Sequence, residues 1–232
     1  LVRSRGLGDV YKRQVLYVPQ DDRPVSLQYT VDTAREAGMT ILTPPQNLIS
    51  GKNYQGQADQ IMAWVEQNAG RADVMVLSTD TLIYGGLVDS RKHNIPLTTL
   101  ESRLKRIESL KARNKNVRIY GFGTVMRSPR ASGGGTEPAY YAEYGPTIFQ
   151  IAALQDKLDS GSLTQEETQK LMSLQASVPV EYLQDWFDRR QKNMKINKEL
   201  IDETRSGVFD YFALGHDCLL YTSPSPRDRT RS

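Results

Sequence analysis

Four aspartates, Asp21, Asp22, Asp80 and Asp217, each stand just after an apolar run in this 232-residue chain. Two carboxylates held in different environments can divide the work of general acid and of base or nucleophile, as glycoside hydrolysis requires. These four are the expected catalytic residues. Arg23, Arg91 and Arg127 would orient substrate oxygens, a task the planar guanidinium suits. Tyr84, Glu137 and His216 complete the expected substrate-binding set, with Tyr84 offering a stacking surface. The same carboxylates with His216 could hold Mg²⁺ or Mn²⁺ by ligand hardness. No His-x-x-x-His or other metal spacing occurs, so no cofactor is expected and the cation reading is the weaker one. No Gly-x-Ser-x-Gly elbow and no Gly-x-Gly-x-x-Gly turn is present. Ser132–Thr136 lacks the spacing and the lysine of a Walker loop. The residues point to a hydrolase or lyase acting on a polar, carbohydrate-like substrate. The competing reading is a non-catalytic module that binds a polar or anionic small ligand at the same rim.

Each residue also has a plainer role open to it. Asp22 could cap the first helix and Asp80 a short turn. Gly85-Gly86 could serve a turn of positive φ or admit a ligand to the backbone. Tyr140, Tyr141 and Tyr144 could be packing or a sugar platform. His93 reads as a surface loop residue.

Five β-rich runs must position these groups: 15–19, 39–43, 74–79, 117–125 and 208–214. Continuous apolar runs bounded by turn residues suit strands buried on both faces of a parallel sheet. Helical spacing separates them at 25–37, 58–69 and 97–113, where Leu100, Leu104, Ile107 and Leu110 recur at intervals of three and four. The alternation predicts an α/β domain, a largely parallel sheet with flanking helices, either Rossmann-like or a partial barrel. Residues 140–206 break the rhythm and predict a helical insertion of three helices, one starting at Thr164 with Glu166 and Glu167 behind it. Ligands in such folds bind outside the carboxyl ends of the strands. The polar residues above all fall there.

The two ends read differently. Residues 4–14 and 218–228 resemble translations of one sequencing adapter in its two orientations, so 1–14 and 218–232 are expected to be artefact. The domain is then 15–217. The net charge of +3 comes from these ends, where Arg3, Arg5, Lys12, Arg13, Arg227, Arg229 and Arg231 face only Asp9 and Asp228. Without them 23 basic and 25 acidic side chains remain, which removes any nucleic-acid inference. Cys218, the one cysteine, lies there too, so no disulfide or thiol site is expected. No run is long and apolar enough to span a membrane. The expected partner is a small-molecule or glycan ligand. Nothing in the sequence fixes a compartment.

Two long runs carry a resemblance: Val15–Val25 (VLYVPQDDRPV) and Ser78–Arg91 (STDTLIYGGLVDSR). With Met126-Arg127, Glu137-Pro138, Tyr140-Tyr141, Tyr144-Gly145, Phe209–Tyr211 and Gly215–Asp217, the chain resembles a bacterial family catalogued as domain of unknown function 4127 over 15–217. The resemblance implies a protein about twice this length, whose C-terminal half would be a further partner of this domain. It implies no reaction.

Overall fold

A computed structural model of the chain describes residues 13–131 and 134–216. Five parallel strands form one sheet: β1 (Gln14–Val18), β2 (Thr40–Leu42), β3 (Val74–Ser78), β4 (Arg118–Val125) and β5 (Tyr211–His216). Their order is β2-β1-β3-β4-β5. Strands β2 and β5 are edges, so among the described residues the sheet is open and the partial barrel is set aside. The chain runs outward from β1 to β2, returns to β3, then proceeds through β4 to β5. The order therefore reverses between β1 and β3, the position at which open α/β sheets form a ligand crevice.

Eight α-helices flank the sheet among the described residues. They are α1 (Gln28–Glu36), α2 (Ala58–Asn68), α3 (Thr79–Tyr84), α4 (Leu87–Lys92), α5 (Leu97–Arg113), α6 (Tyr141–Asp159), α7 (Gln165–Ala176) and α8 (Val180–Arg205). Alternate strand residues serve opposite faces. Leu16, Val18, Met75, Leu77 and Ile119 pack into the main core with Ile61 and Val65 of α2, Leu100 and Leu104 of α5, and Ile196 and Leu200 of α8. Burying each such side chain contributes about 1.5–3 kcal/mol. Val15, Tyr17, Val76 and Tyr120 face the other way, beside Val31 and Ala34 of α1, around an apolar groove of about 300 Å³.

The insertion between β4 and β5 has its own core of Tyr141, Ile148, Ile151, Leu171 and Trp186. Thr164 caps α7 in a full capping box with Glu167, as the early acids predict. Helix α8 has 26 residues, about 39 Å of length, and joins the two cores. Trp186 lies in the insertion core, while Ile196 and Leu200 lie in the main one. No helix among the described residues is long and apolar enough to cross a membrane.

Two local expectations shift. The last strand starts at Tyr211 rather than Val208, because Phe209 turns into the main core at 2% exposure. Its ring fills the space where a Cβ on Gly121 would stand, 2.7 Å away. Residues 79–92, for which the sequence predicts no helix, form α3 and α4. Each has only six residues, too few to print a helical period in sequence.

Candidate functional site

The carboxylate of Asp80 sits where the strand order reverses between β1 and β3, and residues at the ends of β1 and β4 reach it. Helix α3 begins directly after β3, with Ser78 as its N-cap accepting from Thr81 N at 3.3 Å. Asp80 is therefore not the cap, and its side chain is left for other work. Gln20, just past β1, donates Nε2 to Asp80 Oδ2 at 2.9 Å. Thr124, near the end of β4, donates Oγ1 to the same oxygen at 2.8 Å and its amide to Oδ1 at 3.4 Å. Asp80 is 1% exposed. Burial pushes its carboxyl up to about 6, against the pull of the Thr124 and Gln20 hydrogen bonds and the Arg91 charge. An acid so placed changes protonation near neutrality, as proton-transfer catalysis needs.

Close approach of α3 to β4 makes this possible. A Cβ on Gly123 would stand 2.3 Å from Thr79 Oγ1 and 3.6 Å from Asp80 Oδ1. Thr79 donates Oγ1 to the Phe122 carbonyl at 3.1 Å. Gly123 thus lets the first turn of α3 lie against the strand.

Beyond Asp80 runs a buried ionic chain. Arg91, 4% exposed, faces Glu137 at 3.8 Å. Arg127 donates Nε to Glu137 Oε1 at 2.9 Å, and its Nη2 also reaches that oxygen and Thr136 Oγ1 at 3.1 Å. Thr136 donates in turn to Glu137 Oε2 at 2.9 Å. Glu137 is 2% exposed, so it acts here as the counter-charge that holds two arginines.

The first-strand aspartates are engaged separately. Asp21 takes Arg23 through Nε at 2.8 Å and Nη2 at 2.7 Å, and accepts the Arg23 amide at 3.2 Å in a local turn. Asp22 accepts the Tyr54 hydroxyl, while its amide donates to Ser50 O at 2.9 Å. Neither caps α1, whose N-cap is Leu27. His216 is exposed at the end of the edge strand β5, in register with Val125. Asp217, with Ser132 and Gly133 of the glycine-rich loop, lies outside the described residues.

Tyr84 is buried, one helical turn beyond Asp80, and stacks on His93 with centroids 4.9 Å apart. Burial first, and then the Asp80 charge, raise its hydroxyl well above the usual tyrosine range. His93 corrects the surface-loop expectation: it is 5% exposed. Its Nδ1 accepts the Ile95 amide at 3.3 Å, which leaves Nε2 to donate to Asn193 Oδ1 at 2.8 Å. Burial lowers its pKa to about 4, so the ring is neutral near pH 7. Asn193 passes the link on to Ser90 O at 2.8 Å.

Gly85-Gly86 serves the protein's own backbone. A Cβ on Gly86 would stand 1.8 Å from Ser50 Oγ, and one on Gly85, at φ +111°, would meet Gly56 O at 2.8 Å. The tyrosines of α6 pack: Tyr140 stacks on Tyr182 at 4.7 Å, and Tyr141 leans on Trp186 at 4.5 Å with its hydroxyl on Pro129 O. Among the described residues no three His, Cys, Asp or Glu side chains gather as a metal site.

The sequence profile of a family described as Protein of unknown function (DUF4127) matches residues 15–231. The chain belongs to this family. No curated protein and no solved structure matches it. For this DUF4127 member the site therefore has to be read from its own residues. Gln20, Thr124 and Asn193 were not among the expected site residues. Gln20 and Thr124 do sit at strand ends, the signal that could have found them. Asn193 acts across 100 residues of sequence and leaves no local sign.

Proposed function

We propose that this chain carries an acid–base site built on Asp80, of the kind a hydrolase or lyase uses on a polar, carbohydrate-like substrate. One observation carries the reading: a carboxylate at 1% exposure, at the β1/β3 reversal, with its pKa pushed up to about 6 and no capping duty. Perturbed acids at such crevices are what catalysis requires. Asp80 is the proton donor and acceptor, and Gln20 and Thr124 fix its orientation. Glu137 holds Arg91 and Arg127 in the same region, and Arg23, anchored by the buried Asp21, stands exposed at the rim. The acidic balance of residues 15–217 favours a small molecule over a nucleic acid as the ligand.

The test is turnover of a glycoside and polysaccharide-lyase panel by a full-length family protein and its Asp80→Asn variant. Loss of at least about 100-fold in kcat with an unchanged circular dichroism spectrum is expected. Turnover within twofold of wild type overturns the assignment. A second reading rests on the same burial. With its oxygens occupied by Gln20 and Thr124, Asp80 could serve a non-catalytic module by fixing the rim. That reading predicts ligand binding with no turnover by either protein.

A further inference from the structure

Acid–base work is commonly shared between two carboxylates, and Asp80 has both oxygens bound by Gln20 and Thr124. Asp21 and Asp22 are engaged by Arg23 and Tyr54. Asp89, in the first turn of α4, is the other carboxylate of the Ser78–Arg91 run. It is 6% exposed and lines a polar cleft of about 690 Å³, which opens where residues 55–60 face the end of α4 and the start of α5. That volume lies in the range of small-ligand sites. One oxygen, Oδ2, accepts the Gly56 amide at 3.1 Å. The other, Oδ1, has no hydrogen-bond partner among the described residues, yet it is not sealed from solvent as the Tyr84 hydroxyl is.

The surrounding backbone is shaped to hold this carboxylate. A Cβ on Gly56 would stand 2.0 Å from Gly85 O, and one on Gly85 would stand 2.9 Å from Asp89 Oδ2. Glycine at both positions lets the two segments close until the Gly56 amide reaches Oδ2. Lys92 acts on Asp89 through charge alone, since its Nζ is bound to Gly135 O at 3.0 Å. Burial outweighs the amide and the lysine and raises the Asp89 pKa, so the group takes a proton more readily than an ordinary aspartate. We infer, on the acid–base reading above, that Asp89 is a further catalytic residue, the carboxylate whose Oδ1 exchanges a proton with the substrate in this cleft. Oδ1 takes that proton from a substrate hydroxyl or a bound water and later gives it to product or solvent, so the carboxylate is restored and no bond to the protein forms. The competing role is structural, a first-turn acid that only anchors Gly56. Asp89→Asn separates the two, because a carboxamide keeps an oxygen for the Gly56 amide and loses the basicity.

The test uses a full-length family protein and the same glycoside and polysaccharide-lyase panel. Asp89→Asn should lose at least about 100-fold in kcat, with KM within about threefold of wild type and the thermal midpoint unchanged. Asp89→Ala, which also gives up the anchor, should lose turnover and melt at a lower temperature. Carbodiimide coupling to glycine ethyl ester, mapped by peptide mass spectrometry, should mark Asp89 in the folded wild-type protein, which checks the open oxygen without any turnover. Asp89→Asn within twofold of wild type, beside an inactive Asp80→Asn, overturns the inference and leaves Asp80 in place. An inactive Asp89→Asn beside an active Asp80→Asn overturns the Asp80 assignment and keeps this one. A midpoint that falls as far in Asp89→Asn as in Asp89→Ala assigns the residue to the fold alone and overturns the inference. So does an Asp89 that stays unmarked in the folded protein, or a wild-type protein inert across the panel.

Discussion

Gln20 and Thr124 lie on opposite sides of β3 and donate to one oxygen, Oδ2 of Asp80, at 2.9 and 2.8 Å. A carboxylate is thereby clamped at the centre of the sheet by its two neighbouring strands. Burial raises its proton affinity while the two donors lower it, and burial wins. The site is a balance between these opposing effects, and each can be changed by one substitution.

Stability should carry the mark of Asp80. In the folded chain it holds its proton up to about pH 6, whereas in the unfolded chain it releases it near 3.8. Between those values the folded form binds more protons, so this group's contribution to stability is full below pH 3.8 and lost as pH rises through 6. The full effect is on the order of 3 kcal/mol. Asp80→Asn cannot ionise, so relative to wild type its thermal midpoint should be higher at pH 7.5 than at pH 4. A midpoint difference that stays constant with pH would refute the buried-acid account.

Thr124 supplies the shorter of the two side-chain bonds. Thr124→Val keeps the shape and removes the donor, which should cost about 1–3 kcal/mol and push the Asp80 pKa up further. Thr124→Ser should restore both. Chemical denaturation gives the first quantity, and ¹³C-detected titration of the carboxyl gives the second. An Asp80 titration point unmoved in Thr124→Val would sever the link between the strand end and the acid.

The strand ends were legible in sequence because apolar runs stop abruptly at polar residues, and that placed Asp80 correctly after β3. The first strand ends close to Asp21 and Asp22 as well, but side-chain reach decides which residue contacts Asp80. Asp21 folds back onto Arg23, Asp22 meets Tyr54, and the residue before them, Gln20, points to Asp80. The helices of the insertion were legible from their length. Helices α3 and α4 were not, since six residues give no period. The burial of His93 depends on Asn193 of α8, and composition around His93 carries no trace of a partner 100 residues away.

His93 should act on stability in the opposite sense to Asp80. Its folded pKa of about 4 lies below the ordinary 6.5, so the unfolded chain binds the extra proton between those values. Its contribution is present above pH 6.5 and lost as pH falls toward 4. His93→Gln should flatten the acid limb of the stability profile measured by urea denaturation. An unchanged limb would mean that the ring is not buried neutral.

Packing at Gly123 gives the sharpest geometric test. Gly123→Ala would place a Cβ 2.3 Å from Thr79 Oγ1, closer than atoms tolerate, so the first turn of α3 must move off β4. Overpacking of this kind costs about 1–3 kcal/mol. Because Thr79 and Asp80 are consecutive, the shift should also lengthen the Thr124–Asp80 bond and cut turnover in an active full-length protein. Thr79→Ala removes the clashing oxygen, so the double variant Gly123→Ala with Thr79→Ala should be more stable than the sum of the single losses predicts. Residues in contact commonly couple by about 0.5–3 kcal/mol. Additive losses across the four proteins would show that α3 does not lean on β4 through this pair.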